Sequence, residues 1–236
     1  MNADTIVLEG ALATLVEFMD AHPEAGIAGS PVPLADGEVQ SSPFRFPGVL
    51  SELDRGMRLG PVSRALSRWA VAPPAPDSEC RADWLSGASM ILRGSMLDQV
   101  GLLDEGLYTY FDDIDICLRA RRAGWQVWYV PTSRIIHLEG ASTQVGSRIA
   151  KRRPAYWYQA RRRFLLKSHG ALYTSLMDAT FILGYATWRL RRLIQRKPDD
   201  DPPSTLADSI RHSVFCTGFR VTEVPNPAMQ PATTPQ

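Results

Sequence analysis

The sequence predicts an α/β domain, followed by amphipathic helices and a disordered tail. Three observations carry that expectation. Predicted strands and helices alternate from Trp84 to His137, an amphipathic helix leads into a glycine-bounded apolar run before residue 30, and the chain turns basic and aromatic after Gly146. The 236 residues, 44% hydrophobic and 22% charged, suit one globular domain with extensions.

Taken in order, Glu9 to Ala21 reads as an amphipathic helix with Leu12, Leu15, Val16 and Met19 at helical spacing and Pro23 at its exit. Gly26 to Ser30 reads as a buried strand. Residues 31–83 are punctuated by prolines and look helical only between Gly48 and Ala72, the pattern of a long functional loop. Ala88 to Arg93 is a predicted strand and Ser95 to Val100 a short helix closed by Gly101. Asp112 to Ala123 is a helix with Ile114, Cys117 and Leu118 inward and Gly124 as its C-terminal cap. Trp125 to Val130 alternates like a strand and stops at Pro131, and Ser133 to His137 forms another.

The remainder is different in kind. Eight Lys or Arg and no acid lie between Arg148 and Gly170, with Ala155 to Lys167 a basic, aromatic-rich helix interrupted at Gly170. Ala171 to Trp188 carries one charge, Asp178, and five more basic residues follow by Lys197. That run approaches a membrane span in length, but Thr174, Asp178, Thr180 and Thr187 favour an interfacial amphipathic helix with a basic end. From Pro198 onward, seven of the eighteen prolines and few large apolar residues predict disorder.

Composition narrows function mainly by exclusion. The net charge of +1 and the lack of a nucleic-acid motif leave no nucleic-acid partner expected. Cys80, Cys117 and Cys216 are isolated, which argues against a zinc or disulfide framework and fits a reducing cytosol. No signal peptide is read, because Met1 is not followed by a basic segment and an apolar run.

The most informative stretch is residues 110–137. Asp112, Asp113 and Asp115 sit where a loop should enter a helix, and His137 follows one strand later. Carboxylates at a helix start are favoured by its dipole, so one of them is explained by capping. Three within four positions repel one another unless a cation or a substrate proton compensates, which points to a catalytic or metal site.

Six motifs in order resemble one family. They are Asn2-Ala-Asp-Thr5, Pro23 to Ile27, Asp36-Gly37 with Gln40 to Pro47, Trp84 to Ala88, Phe111-Asp-Asp-Ile-Asp115, and Ile136-His137 with Ser142 followed by the basic stretch from Tyr158 to Gly170. The chain from residue 2 to about 190 is similar to inverting glycosyltransferases of family 2, which have a GT-A fold. The branch it resembles most is the bacterial rhamnosyltransferase-like enzymes, which build cell-wall and surface polysaccharides on lipid carriers. The resemblance implies a partial GT-A domain with a mixed sheet over 1–146, a basic and amphipathic membrane-associating helical region over 147–197, and a proline-rich disordered tail over 198–236.

It also implies roles. Asp113 would be the base that takes the acceptor hydroxyl's proton, with Asp112 where many relatives have glutamate. Asp112 and Asp115 would orient the acceptor or bind the helix start. Trp84 would stack on a sugar ring and Gly87 would let the acceptor approach the backbone, although Trp84 reads equally as a core residue. Asp4 and His137 would hold a divalent cation, with Asn2 standing where other branches place an acid. Mg²⁺ suits oxygen ligands, whereas a histidine tilts the choice to Mn²⁺. Arg163 and Lys167 would meet a donor diphosphate or a lipid phosphate. His22, His169 and His212 receive no catalytic role. The expected partners are a nucleotide-sugar donor, a saccharide or lipid-linked acceptor and the inner face of the cell membrane, to which a cytoplasmic protein would attach peripherally.

In this family the chain normally begins well before the Asn-Ala-Asp segment, and that earlier part supplies the first strands and the nucleobase grip. The expectation is therefore a fragment or misplaced start, or a separate polypeptide supplying that half. It extends to weak transfer activity, an uncovered sheet edge and self-association. The alternative function is a non-catalytic remnant or acceptor-binding module.

Overall fold

The computed structural model describes residues 1, 3–33, 39–40, 43–138 and 152–224. Asn2, Asp36-Gly37, Ser142, the start of the basic run and the chain beyond residue 224 lie outside the described residues.

The chain enters through β1 (Thr5–Val7), a strand absent from the sequence reading, and turns at Gly10, whose φ of 78° suits glycine. Helix α1 (Ala11–Ala21) follows, then β2 (Ala25–Gly29), a short β3–β4 pair (Val32–Pro33 and Val39–Gln40), α2 (Val49–Met57) and α3 (Gly60–Ala65). Next come β5 (Cys80–Arg81), β6 (Ile91–Leu92), α4 (Gly94–Val100), α5 (Asp112–Arg122), β7 (Gln126–Tyr129) and β8 (Ile135–His137). Helices α6 (Ala155–Gln195), α7 (Thr205–Arg211) and α8 (Val214–Thr217) are the last among the described residues.

The central sheet is mixed, in the order β5-β7-β2-β6: β2 runs parallel to β7 and antiparallel to β6. Strand alternation sends Ile27 and Val127 to one face, where Met96 of α4 and Ile116 of α5 cover them. Ala28 faces the other way, and so does Ala25 because the register with β7 shifts between Ala25 and Ile27; both lie under Leu15, Phe18 and Met19 of α1. Arg93 locks this arrangement by donating to the carbonyls of Met19, His22 and Ala25, closing the C-terminal end of α1. A separate antiparallel pair, β1–β8, lies beside the sheet with Thr5 opposite His137.

Three expectations change here. Leu12 and Val16 point outward, because α1 buries the stripe Ala11, Leu15, Phe18 and Met19 instead. The strand expected over 88–93 is paired only at Ile91 and Leu92; Ala88 and Ser89 turn under β1 and β2, where Ser89 bonds Ser30. Within the tail expected to be disordered from 198, Thr205–Arg211 and Val214–Thr217 instead form α7 and α8. Local polarity misled the reading: buried Asp208 takes a two-pronged bond from Arg152, and the Val214 amide donates to buried Asp178.

Helix α6 is broken as the glycine predicted, with Gly170 at φ 79° and ψ 179°. Before the break, Phe164 and Leu165 pack on Ile114 and Leu118 of α5. After it, the helix crosses α2 so closely that Gly56 and Gly184 bring backbone against backbone. Its far face exposes Leu172, Leu176, Leu183, Leu190 and Ile194 in one stripe. Among the described residues, no helix is long and apolar enough to cross a membrane.

Candidate active site

The acidic motif lies on the first turn of α5, entered through two consecutive residues in the left-handed region, Tyr110 (φ 65°) and Phe111 (φ 64°). Such backbone is sparsely populated for non-glycine residues and persists where surrounding packing imposes it. Here aromatic rings impose it. Phe111 stacks on Phe164 at 5.8 Å and meets Trp157 at 5.6 Å, while Tyr110 stacks on Tyr156 at 6.0 Å.

The three aspartates have separate environments. Asp113 is half-buried; its Oδ2 accepts the Gly87 amide at 3.1 Å and its Oδ1 accepts the Ile114 amide at 2.8 Å. Burial, reinforced by the neighbouring Asp112 charge, pushes its carboxyl up to about 7, against the opposing pull of those amides. Asp112 is raised too, chiefly by burial. Asp115 is turned into the protein at 1% exposure, paired with Arg119 at 2.8 Å and Lys167 at 3.4 Å. It is therefore withdrawn from the acceptor set, and its charge is compensated inside the fold.

A second pair sits on the β1–β8 ribbon. His137 Nε2 lies 3.1 Å from Asp4 Oδ1, and His137 Nδ1 is buried without a hydrogen-bond partner among the described residues. The 3.1 Å separation is an ordinary hydrogen-bond distance; adjacent ligands on an octahedral ion with bonds of about 2.1 Å also lie about 3 Å apart, so the spacing would admit two ligands of one cation. Among the described residues no group of three or more His, Cys, Asp or Glu could hold a metal. Asp4 and His137 would thus be a partial cage, completed by substrate oxygens and water. The two pairs are connected: the Thr5 hydroxyl donates to the Ala88 carbonyl at 3.1 Å, and the adjoining Gly87 amide donates to Asp113.

Other predicted residues are placed differently. The Trp84 indole stacks on Phe44 at 4.2 Å and donates to the Arg45 carbonyl, so one ring face is already covered. Arg163 holds Asp104 through two hydrogen bonds, and Lys167 binds the same carboxylate at 2.9 Å. Both cations, expected to meet a phosphate, are occupied by Asp104, whose carboxyl the Arg163 hydrogen bonds hold well below its usual range. The sequence reading missed Asp104 because it lies some sixty residues from its partners, with no local signal. It also missed buried Glu52 and Asp178, which flank Arg161 at 3.2 and 2.5 Å. An acid alone in an apolar stretch, such as Asp178, was the one visible hint.

Comparison with known proteins gives a consistent placement. Residues 1–199 match the model of "Glycosyl transferase family group 2". The chain is 30% identical over 193 residues to the N-acetylglucosaminyl-diphospho-decaprenol L-rhamnosyltransferases of two Mycobacterium tuberculosis strains, CDC 1551 / Oshkosh and H37Rv. Those alignments cover 75% of this chain and 62% of the relative, so the chain spans less than two thirds of their length. It is also 30% identical over 141 residues to rhamnosyltransferase WbbL of Escherichia coli K12, covering 58% of this chain and 50% of that one. A solved structure of GalNAc-T7 with UDP, GalNAc and Mn²⁺ superposes on 92% of this chain and 40% of its own at a TM-score of 0.43 and 16% identity. With the family model covering most of its length, the chain belongs to glycosyl transferase family group 2.

Proposed function

We propose that this chain carries the acceptor side of an inverting sugar transfer, in which a glycosyl group passes from a nucleoside-diphosphate donor to a hydroxyl of a lipid-linked saccharide. The similarity to the mycobacterial N-acetylglucosaminyl-diphospho-decaprenol L-rhamnosyltransferases favours an L-rhamnosyl group and a polyprenyl-diphosphate acceptor, and the similarity to WbbL favours rhamnosyl transfer. The observation that carries the reading is Asp113, half-buried and with a carboxyl that titrates near neutrality. A base poised there takes the proton as the acceptor oxygen bonds to the sugar C1. The bond from C1 to the diphosphate breaks on the opposite face, and the electron pair leaves with the diphosphate. A divalent cation on Asp4 and His137, when bound, would offset that charge. Asp112 and the Gly87 backbone lie beside Asp113 and would orient the acceptor.

Attachment to the inner face of the membrane would be peripheral, through the leucine stripe of α6. Turnover with nucleoside-diphosphate-L-rhamnose and polyprenyl-diphospho-N-acetylglucosamine should fall 10²-fold or more in Asp113→Asn. Equal rates in the variant and the parent defeat the assignment. One observation favours a second reading, an acceptor-binding module without turnover: Ile6, Leu8, Leu12, Val16, Ile136 and Leu138 are exposed on the elements around Asp4 and His137. Acceptor binding with no product under any donor would select it.

A further inference from the structure

Away from Asp113, two clefts meet at the start of α6. One is narrow, about 20 Å³, room for a single water, and is lined by Arg55, Arg153, Trp157, Arg161, Asp178 and His212, among others. The other, beside it, is wider at about 490 Å³; it shares Arg153 and His212 and adds Arg152, Asp208 and Arg211 around Pro154 and Ala155. Five arginines therefore converge, and among the described residues three carboxylates pair with them: Glu52 with Arg55 and Arg161, Asp178 with Arg161, and Asp208 with Arg152.

Arg161 and Arg152 are fully engaged by those acids. Arg153 is not. Among the described residues its guanidinium has no carboxylate hydrogen bond; it lies 4.7 Å over the Trp157 ring, half-buried, and burial together with the Arg55 charge holds its pKa below the usual arginine value. The charges of Glu52 and Asp201 offset this only in part and without a hydrogen bond to Arg153, so an anionic ligand in direct contact would relieve the cation further. A second feature points the same way. Pro154 is the N-cap of α6, so the free amides and positive dipole end of a long helix open onto the cleft that Pro154 and Ala155 line.

We propose that the wider cleft forms a diphosphate-binding site, with Arg153 as its main cation, Arg211 and His212 around it and the start of α6 as its floor. Planar guanidinium forks match phosphate oxygens, and the neighbouring Trp157 supplies an apolar wall for whatever the diphosphate carries. The position suits substrate. Trp157 contacts Phe111, the residue that opens the acidic turn of α5, so the site is one aromatic pair from Asp112 and Asp113. Reading the diphosphate as that of a transfer substrate rests on the proposed function; the site itself does not. The diphosphate of a lipid-linked acceptor and that of a nucleotide donor share this chemistry.

Calorimetric titration of the full chain with inorganic pyrophosphate at low ionic strength tests it without requiring turnover. Binding should weaken at least tenfold in Arg153→Gln, recover in part in Arg153→Lys, and stay unchanged in Arg196→Gln, whose charge lies at the far end of α6. Melting curves establish that each variant is folded, and Arg211→Gln replaces Arg153→Gln should the latter not fold. Displacement of pyrophosphate by geranyl diphosphate would assign the lipid-linked source, and displacement by a nucleoside diphosphate the donor. No binding at millimolar pyrophosphate, or equal binding by Arg153→Gln and Arg196→Gln, overturns the site. Because Asp113 is untouched, loss of turnover in Asp113→Asn with intact pyrophosphate binding separates the two claims.

Discussion

The Gly87 amide donates to Asp113 Oδ2 at 3.1 Å, so the backbone of one loop aims the carboxyl of a separate helix. That bond favours the charged carboxylate, yet burial outweighs it and the group titrates near neutrality. The balance has a measurable sign. Between the ordinary value of 3.8 and about 7, the folded chain holds a proton that the unfolded chain has released. Stability therefore falls as pH rises through that window. Asp113→Asn should melt a few degrees above the parent at pH 8, with the gap narrowing through pH 5 and closing below about pH 4. Activity should run the other way, rising tenfold per pH unit up to about 7 and then levelling. A melting difference independent of pH would refute this.

The Asp4–His137 pair predicts a cation dependence that can be read without turnover. Asp4→Asn and His137→Gln should each weaken Mn²⁺ binding by about tenfold or more, followed by electron paramagnetic resonance of the ion. Unchanged binding in both variants removes these residues from any metal site.

Helices α2 and α6 meet at a seam with no room for a methyl group. A Cβ on Gly56 would lie 2.9 Å from the Phe181 carbonyl oxygen and the Tyr185 nitrogen. Gly56→Ala should cost about 1–3 kcal/mol in denaturant unfolding through overpacking. Gly60→Ala, where a Cβ meets nothing within 4 Å, should be neutral or slightly stabilising. Equal effects at the two positions would contradict the seam.

Arg161 is buried between Glu52 and Asp178, with the three side chains at 13%, 5% and 5% exposure. Arg161→Met leaves two acids without their shared cation and should cost about 3–5 kcal/mol. A loss below about 1 kcal/mol would mean that Arg55 and the Val214 amide suffice.

The apolar side chains exposed on β1, β8 and α1 predict concentration-dependent association in sedimentation. Leu12→Glu with Val16→Glu should shift the chain towards monomer. A monomer at every concentration in the parent chain would remove the prediction.

How much of this was legible depended on the range of each interaction. Helix α5 and strand β7 were readable because their ends are marked locally, by Gly124 (φ 94°) and Pro131. The break at Gly170 was readable for the same reason. Strand β1 was not, since three residues carry no period. Nor was the fate of Lys167, whose partners Asp104 and Asp115 come from a loop and a helix that only tertiary packing brings to it. The acidic motif announced a site through its excess charge, but only the structure separated Asp113 and Asp112 from Asp115, which spends its charge on Arg119.

Gly170 also has a directional effect. Upstream of it the helix braces the α5 turn that bears Asp113; downstream the same backbone lies along α2 and turns its leucines outward. One dihedral pair, at φ 79° and ψ 179°, fixes the bearing of that greasy arm relative to the reacting carboxyl. Any residue with a Cβ would strain there, so replacing this glycine should misalign the two arms even where each keeps its own contacts.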